Sequence, residues 1–234
     1  MPTFTVTGDI DPFLHVRLQR GESVFCESDA MVMMEDTLDL RARIQGGLLQ
    51  ATFRRLANGE SFFQQQITAK RGSGDCLLAP KLPGALQVLD VGAEQYCIAD
   101  DAYVAATDGV DVVAQLQSVG GALFGQTGGF FIGRSSGQGQ IVVSGFGALF
   151  TLDVLPSRET IIDNGHVIAW DSRLRYSLSM STRRGSGLLG NLVNSVVSGE
   201  GIVLKFSGQG KVIICSRNRN SFVSWLGEKI NGKH

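Results

Sequence analysis

Arg184-Gly-Ser-Gly-Leu-Leu-Gly-Asn-Leu192 carries glycines at 185, 187 and 190, the spacing G-x-G-x-x-G. In a dinucleotide-binding turn such glycines let the backbone approach a pyrophosphate held at a helix N-terminus. Gly133-Arg-Ser-Ser-Gly137 has the G-x-S-x-G spacing of a nucleophile elbow, which needs a serine on a strained strand-to-helix turn and a later histidine. The three histidines, His15, His166 and His234, include no H-x-H pair, whereas a metal wants three or four convergent donors. Asp100-Asp101 and Asp163 are the carboxylates whose placement could serve acid–base work, given a cleft and a perturbed pKa.

Each of these chemistries demands particular elements around it. A phosphate cradle needs a buried parallel strand before it and a sizeable helix after it. The stretch YSLSMSTRR (176–184) instead alternates apolar and polar residues, as a half-exposed strand does. Strand signals dominate elsewhere: AMVMM (30–34), SFFQQQI (61–67), CLLA (76–79), YVAAT (103–107), FFIG (130–133), IVVS (141–144), HVIAW (166–170), IVLKF (202–206) and VIIC (212–215). The best helix candidates, Leu48–Leu56 and Leu188–Val197, amount to one or two turns each. The reading is all-β.

Laid side by side, the strands fall into three series. Met31-Val32-Met33-Met34, Tyr103-Val104-Ala105-Ala106 and His166-Val167-Ile168-Ala169 form the first. Phe62-Phe63, Phe130-Phe131 and Ile202-Val203 form the second. The third comes after a G-x-G each time, at Gly72–Gly74, Gly137–Gly139 and Gly208–Gly210. This predicts one domain of three β repeats, approximately 10–88, 89–154 and 155–226, with pseudo-threefold symmetry and packed as one sandwich- or prism-like body. One small sheet cannot bury its apolar face alone, and three together can.

The repeats test the motifs. Gly47-Leu48-Leu49 aligns with Gly187-Leu188-Leu189, and Asn58-Gly59-Glu60 with Ser198-Gly199-Glu200, without a gap. Gly185 and Gly190 then face Gln45 and Gln50, so the dinucleotide spacing is no part of the shared unit. Gly137 leads into another strand, which makes G-x-S-x-G a hairpin turn. His166 takes the place of Tyr103 and Met31, as a strand residue with a hydrogen-bonded ring. Asp100, Asp101 and Asp163 read as turn formers. No catalytic residue, cofactor or metal is expected.

The shared feature is an apolar loop flanked by glycine: GGLLQ (46–50), GGALFG (120–125) and GSGLLG (185–190). Leu48, Leu49, Leu123, Phe124, Leu188 and Leu189 are the candidate interaction residues. They either tuck under their own sheets or emerge on one face as an apolar docking patch.

Composition narrows the classes further. Lys+Arg is 21 against Asp+Glu 22, a net charge of −1, which disfavours nucleic acid unless basic residues cluster. Lys70, Arg71, Arg134 and the pairs Arg54-Arg55 and Arg183-Arg184 recur near loops but read as solvated charges. Hydrophobic content of 43% and charge of 18% favour a folded chain, and 30 glycines with 5 prolines suit many tight turns. Cys26, Cys76, Cys97 and Cys215 are scattered, reading as reduced, mostly buried hydrophobes. With no signal-like N-terminus and no long apolar run, the expectation is a soluble, cytoplasmic protein.

NGESFF (58–63), GDCLLAPKLPGALQVLDVG (74–92) and SGEGIVLKFSGQGKVIICS (198–216) resemble the recurring hallmarks of the altered-inheritance-of-mitochondria protein 24 family, on its bacterial side. The middle repeat departs from the pattern, with Gly128-Gly129 where Gly-Glu would stand, so no role of Glu60 and Glu200 is common to all three units. The resemblance implies a fold similar to the trp RNA-binding attenuation protein, grouped near double-stranded β-helices. It carries over no catalytic residues. The expected function is a non-catalytic scaffold or protein-interaction module, binding protein (self or other), with a membrane surface as a second partner class. A small-ligand-binding or enzymatic β barrel, and RNA binding by fold analogy, are the alternatives; no small-molecule substrate is identified.

Overall fold

Short apolar runs bounded by glycine, aspartate and asparagine favour brief strands and tight reversals over long helices. The computed structural model describes residues 1–43, 64–99, 101–117, 130–180, 202–230 and 232. Among them the chain is all-β, built of antiparallel sheets. After β1 (Thr3–Thr7) come β2 (Phe13–Leu18), β3 (Ser23–Glu27), β4 (Met31–Met34), β5 (Leu38–Arg43), β6 (Gln64–Ala69) and β7 (Gly74–Leu78). Next are β8 (Leu86–Val91), β9 (Tyr96–Ala99), β10 (Tyr103–Thr107), β11 (Val110–Gln117), β12 (Phe130–Gly137) and β13 (Gly139–Ser144). The last strands are β14 (Leu149–Val154), β15 (Thr160–Asp163), β16 (Val167–Asp171), β17 (Arg175–Met180), β18 (Ile202–Ser207) and β19 (Gly210–Cys215), followed by helix α1 (Arg219–Ile230).

Four sheets result, with strand orders β1-β2-β7-β4, β5-β6-β3-β10-β13-β8, β11-β12-β9-β16-β19-β14 and β15-β18-β17. The triplets β2-β7-β4, β8-β13-β10 and β14-β19-β16 have the same form, and so do β5-β6-β3, β11-β12-β9 and β17-β18-β15. Two junctions weld these triplets into six-stranded sheets. β10 pairs with β3 (Ala105↔Cys26, Ala106↔Phe25, Thr107↔Val24), and β16 pairs with β9 (Ala169↔Ile98, Trp170↔Cys97, Asp171↔Tyr96).

Position in the sheet decides burial. β10 and β16 are central and every residue in them is buried, as expected for strands covered on both faces. β4 has a similar apolar sequence but lies at a sheet edge, where its side chains are only partly covered or exposed. The apolar interior forms three clusters, centred on Leu14, Leu18 and Ile67, on Ile98, Ile141 and Ile213, and on Trp170, Leu204 and Phe206. Each fully buried side chain of this size contributes about 1.5–3 kcal/mol relative to exposure.

The three G-x-G stretches lead into β7, β13 and β19 as expected. At Gly139 (φ +150°) a Cβ would stand 2.1 Å from Thr107 Oγ1, so the reversal admits no side chain there.

Two expectations need correction. The strand series aligns Val167, not His166, with Tyr103 and Met31: Val167 pairs with Ile214, Tyr103 with Val143 and Met31 with Leu78, each followed by a bulge. His166 instead ends a 3-10 turn, Asn164–His166. Finally, α1 is a three-turn helix where none was expected. Asn218 caps it, its Oδ1 accepting from Ser221 N–H at 3.1 Å. The helix candidates 48–56 and 188–197 lie outside the described residues.

Candidate functional site

Antiparallel pairing makes hairpins of β5–β6, β11–β12 and β17–β18. Each opens from its last paired rung, Arg43↔Gln64, Gln117↔Phe130 and Met180↔Ile202. The candidate interaction residues Leu48, Leu49, Leu123, Phe124, Leu188 and Leu189 belong to the connections beyond these rungs, and all six lie outside the described residues, as do Gly185, Gly187 and Gly190. The strand that precedes these glycines is β17, an antiparallel edge strand. A phosphate cradle would need a buried parallel strand at that point.

G-x-S-x-G is not a turn, as the sequence suggested, but the second half of β12, paired with β11 on one side and β9 on the other. Only Gly137, at φ +93°, enters the reversal. Ser135 is buried. Its Oγ accepts from Tyr96 N–H (2.7 Å), and its hydroxyl donates to Gln95 Oε1 (2.8 Å). A hydroxyl so engaged joins strands and has no base beside it.

A dense polar constellation surrounds Asp171, at the end of β16. Its carboxylate is buried and accepts from Arg173 N–H (2.9 Å) and from Arg173 Nε at 3.0 and 3.1 Å. The hydrogen bonds and charge of Arg173 hold the Asp171 carboxyl below the usual carboxylate range. Tyr96 donates its hydroxyl to Glu94 Oε2 (3.0 Å), and burial, followed by that carboxylate, pushes the phenol well above its ordinary value. A shallow cleft of about 230 Å³ adjoins them, lined by Gln87, Asp90, Glu94, Tyr96, Thr151 and Lys211 among others. Asp90 accepts from Gln140 Nε2 at 3.0 Å. The register puts Thr107 where Asp171 stands one junction later. Thr107 accepts from Gln140 N–H through Oγ1 (2.9 Å) and so ties the end of β10 to β13, whereas Asp171 ties down the turn after its own strand.

The remaining sequence candidates are likewise absorbed. His166 Nδ1 lies 2.8 Å from the Cys215 carbonyl oxygen, which fixes its ring against β19. His15 Nε2 meets Asp75 Oδ2 at 2.9 Å across β2 and β7, and that contact holds the Asp75 carboxyl low. Asp163 Oδ1 accepts from Gly165 N–H, and Asp101 is paired with Arg219. Asp100 is outside the described residues. Lys70 and Arg71 both pair with Asp39, and Arg71 also donates to the carbonyls of Asp36 and Leu38. The four cysteines are free and buried. Among the described residues there is no metal-binding cluster of His, Cys, Asp and Glu, and no helix is long and apolar enough to cross a membrane.

Among the described residues, α1 and several edge strands leave apolar side chains uncovered. Phe222, Val223, Trp225, Leu226 and Ile230 of α1 are all exposed, and Phe222 touches the body through an edge-to-face contact with Phe146 at 5.2 Å. Val32, Met33, Phe150 and Ile161 are exposed on edge strands. The signal for α1 was present in the sequence, since Phe222, Trp225, Leu226 and Ile230 recur at helical spacing.

Comparison with known proteins gives a consistent picture. The family model described as "Mitochondrial biogenesis AIM24" matches residues 4–217. An uncharacterized protein of Streptococcus pyogenes serotype M6 is 30% identical over 221 residues, covering 92% of this chain and 85% of its own length. A crystal structure of a Streptococcus pyogenes protein, solved as a structural genomics target, superposes with a TM-score of 0.80 at 28% identity, covering 98% of this chain and 100% of that one.

Proposed function

The chain belongs to the AIM24 mitochondrial biogenesis family, and from that premise we propose that it is a non-catalytic scaffold or protein-interaction module. The observation that carries this reading is a division of labour among side chains. The polar groups of Ser135, Asp171, His166 and His15 are engaged in bonds that hold strands and turns. Apolar groups of α1 and the edge strands remain exposed, the chemistry of a surface that binds protein. In the same reading the strands form three six-strand units, β2–β7, β8–β13 and β14–β19, in one pseudo-symmetric body. Leu48, Leu49, Leu123, Phe124, Leu188 and Leu189 are the further candidates for contact with a partner. The free, buried thiols fit a reducing compartment such as the cytoplasm.

The test compares wild type with a Leu188→Ser/Leu189→Ser variant and with Phe222→Ser/Trp225→Ser. Each is checked for an unchanged thermal midpoint, then used to capture partners from the native cells. Loss of a stoichiometric protein partner in either variant is the expected result. Identical captures from all three, or a turnover-competent small-molecule ligand seated at the Asp90–Glu94 cleft, would overturn the proposal.

A further inference from the structure

The two internal junctions share one construction. A strand that carries a bulge (β10 or β16) pairs with the second strand of the preceding unit (β3 or β9), and each junction uses three rungs. The strands that would form a third such junction are both present and both open. β4 has the bulge, between Met31 and Met33, and is bonded on one side only, to β7. β15 is bonded on one side only, to β18. Among the described residues nothing pairs with either outer edge.

The cores repeat this asymmetry. In the first cluster Ala105 from β10 packs with Cys26 from β3, and in the second Ala169 from β16 packs with Ile98 from β9. The third cluster contains Ile162 of β15 but no residue from a following bulged strand. The residues that match the missing half are apolar and uncovered. Val32 is 54% exposed and Met33 is 41% exposed, whereas their counterparts Val104 and Ala105 are fully buried. Ile161 is 61% exposed, against 3% for its counterpart Phe25. Leaving such an edge open invites pairing with another strand.

We propose that a second copy of this chain completes the third junction: β4 of one copy pairs antiparallel with β15 of the next. Transferring the register of the two internal junctions gives Met33↔Ile162, Met34↔Ile161 and Glu35↔Thr160. Met33 of the second copy then covers the open end of the third cluster, as Ala105 and Ala169 cover theirs. The contact joins two different surfaces, so it is head-to-tail. It builds a ring where the rotation closes and a linear chain where it does not. This names one partner within the interaction reading above. It rests on strand edges, not on the loops or α1, so a failed partner capture and a failed self-association are seen separately.

The decisive experiment measures the mass of the full chain by light scattering and native mass spectrometry across a concentration series. Wild type is expected as species larger than one chain. Ile161→Lys spoils β15 and Met33→Lys spoils β4, and because both sites are solvent-exposed in the single chain each variant should keep the wild-type circular dichroism and a cooperative melt, lowered only by what assembly adds, and run as a monomer. Mixed in equal amounts, they retain one good β4 and one good β15 between them, and should give a dimer of one copy each and nothing larger. Hydrogen exchange on wild type gives a second readout that needs no variant: amides of β4 and β15 gain protection as concentration rises. A wild type that stays monomeric throughout overturns the proposal. So do assemblies that persist in both lysine variants, or a mixture that remains monomeric while wild type assembles.

Discussion

Phe206 offers a quantitative test of where the stability of this chain resides. Its side chain is fully buried, with its ring centroid 5.6 Å from Trp170 and 6.3 Å from Tyr176. Truncation by Phe206→Ala removes the ring from a packed cluster that also contains Leu204, Val212 and Ile162. A loss of this kind costs about 3–5 kcal/mol through lost transfer energy and the cavity left behind. For a chain of this length each kcal/mol moves the midpoint by about 2–4 °C, so the expected fall is about 6–20 °C. Phe150→Ala is the matched control, because that ring is 65% exposed on edge strand β14 and should change stability by less than about 0.5 kcal/mol. Of the two tryptophans, Trp170 is buried and Trp225 is 53% exposed, so a Trp225→Phe background leaves Trp170 as the sole reporter. Thermal unfolding followed by circular dichroism and by Trp170 emission should then give coincident transitions. Phe206→Ala should also alter the native emission, since it deletes one ring packed edge-on against the indole. Equal shifts for Phe206→Ala and Phe150→Ala would refute the reasoning.

Other outcomes come from the same geometry. Asp171→Ala should cost about 1–3 kcal/mol, because it deletes the acceptor of the Arg173 backbone and side-chain bonds. Arg173→Ala should cost clearly less, since that guanidinium is largely solvated; the reverse order in urea titrations would show the turn is not held this way. Burial pushes the Cys26 and Cys76 thiols up to about 12, so neither should react with a disulfide reagent at neutral pH until the chain is unfolded; prompt modification of either in the native state contradicts their placement. The carboxyls of Asp75 and Asp39 sit below their usual range, mainly through His15 and Arg71 respectively. A depressed folded pKa gives stability that is present above the unfolded value near 3.9 and lost as pH falls through the folded value. Asp75→Asn should therefore flatten the acid side of the stability profile, measured as the urea midpoint against pH, and an unchanged slope would remove His15–Asp75 from the account.

How much of this was legible in the sequence depended on what each residue's surroundings had to supply. Runs such as YVAAT and VIIC declared themselves because their strands are buried and therefore continuously apolar. The Gly137-Gln-Gly139 reversal was readable because Gly139 leaves no room for a Cβ. β5 and β14 are not legible, since half-covered strands mix polar and apolar residues and break the pattern, and β3, though buried, offers an apolar run of only Val24-Phe25-Cys26. Helix α1 escaped because no part of it is buried, so its apolar spacing serves no core. The His166 slip had a similar origin: a bulge and a 3-10 turn shift the register by one residue, which spacing alone does not reveal. Ser135 reads as a turn residue but lies in β12, because a strand that ends in glycine reads like the reversal beyond it.

The comparison of β4 with β10 shows why the interaction surface was harder to read than the fold. Met31-Val32-Met33-Met34 and Tyr103-Val104-Ala105-Ala106 carry the same bulge and pair in the same way with the strand after the G-x-G turn. Their patterns announce the same requirement, a strand covered on both edges. β10 has that cover because β3 lies in the same chain, and its residues vanish from solvent. β4 is left with Val32 and Met33 exposed. A methionine, Met33, stands at the position of Ala105 and is 41% exposed where the alanine is fully buried. An apolar pattern states what a strand needs and is silent on who provides it. Only the pairing map separates a strand paired on both edges from one paired on a single edge.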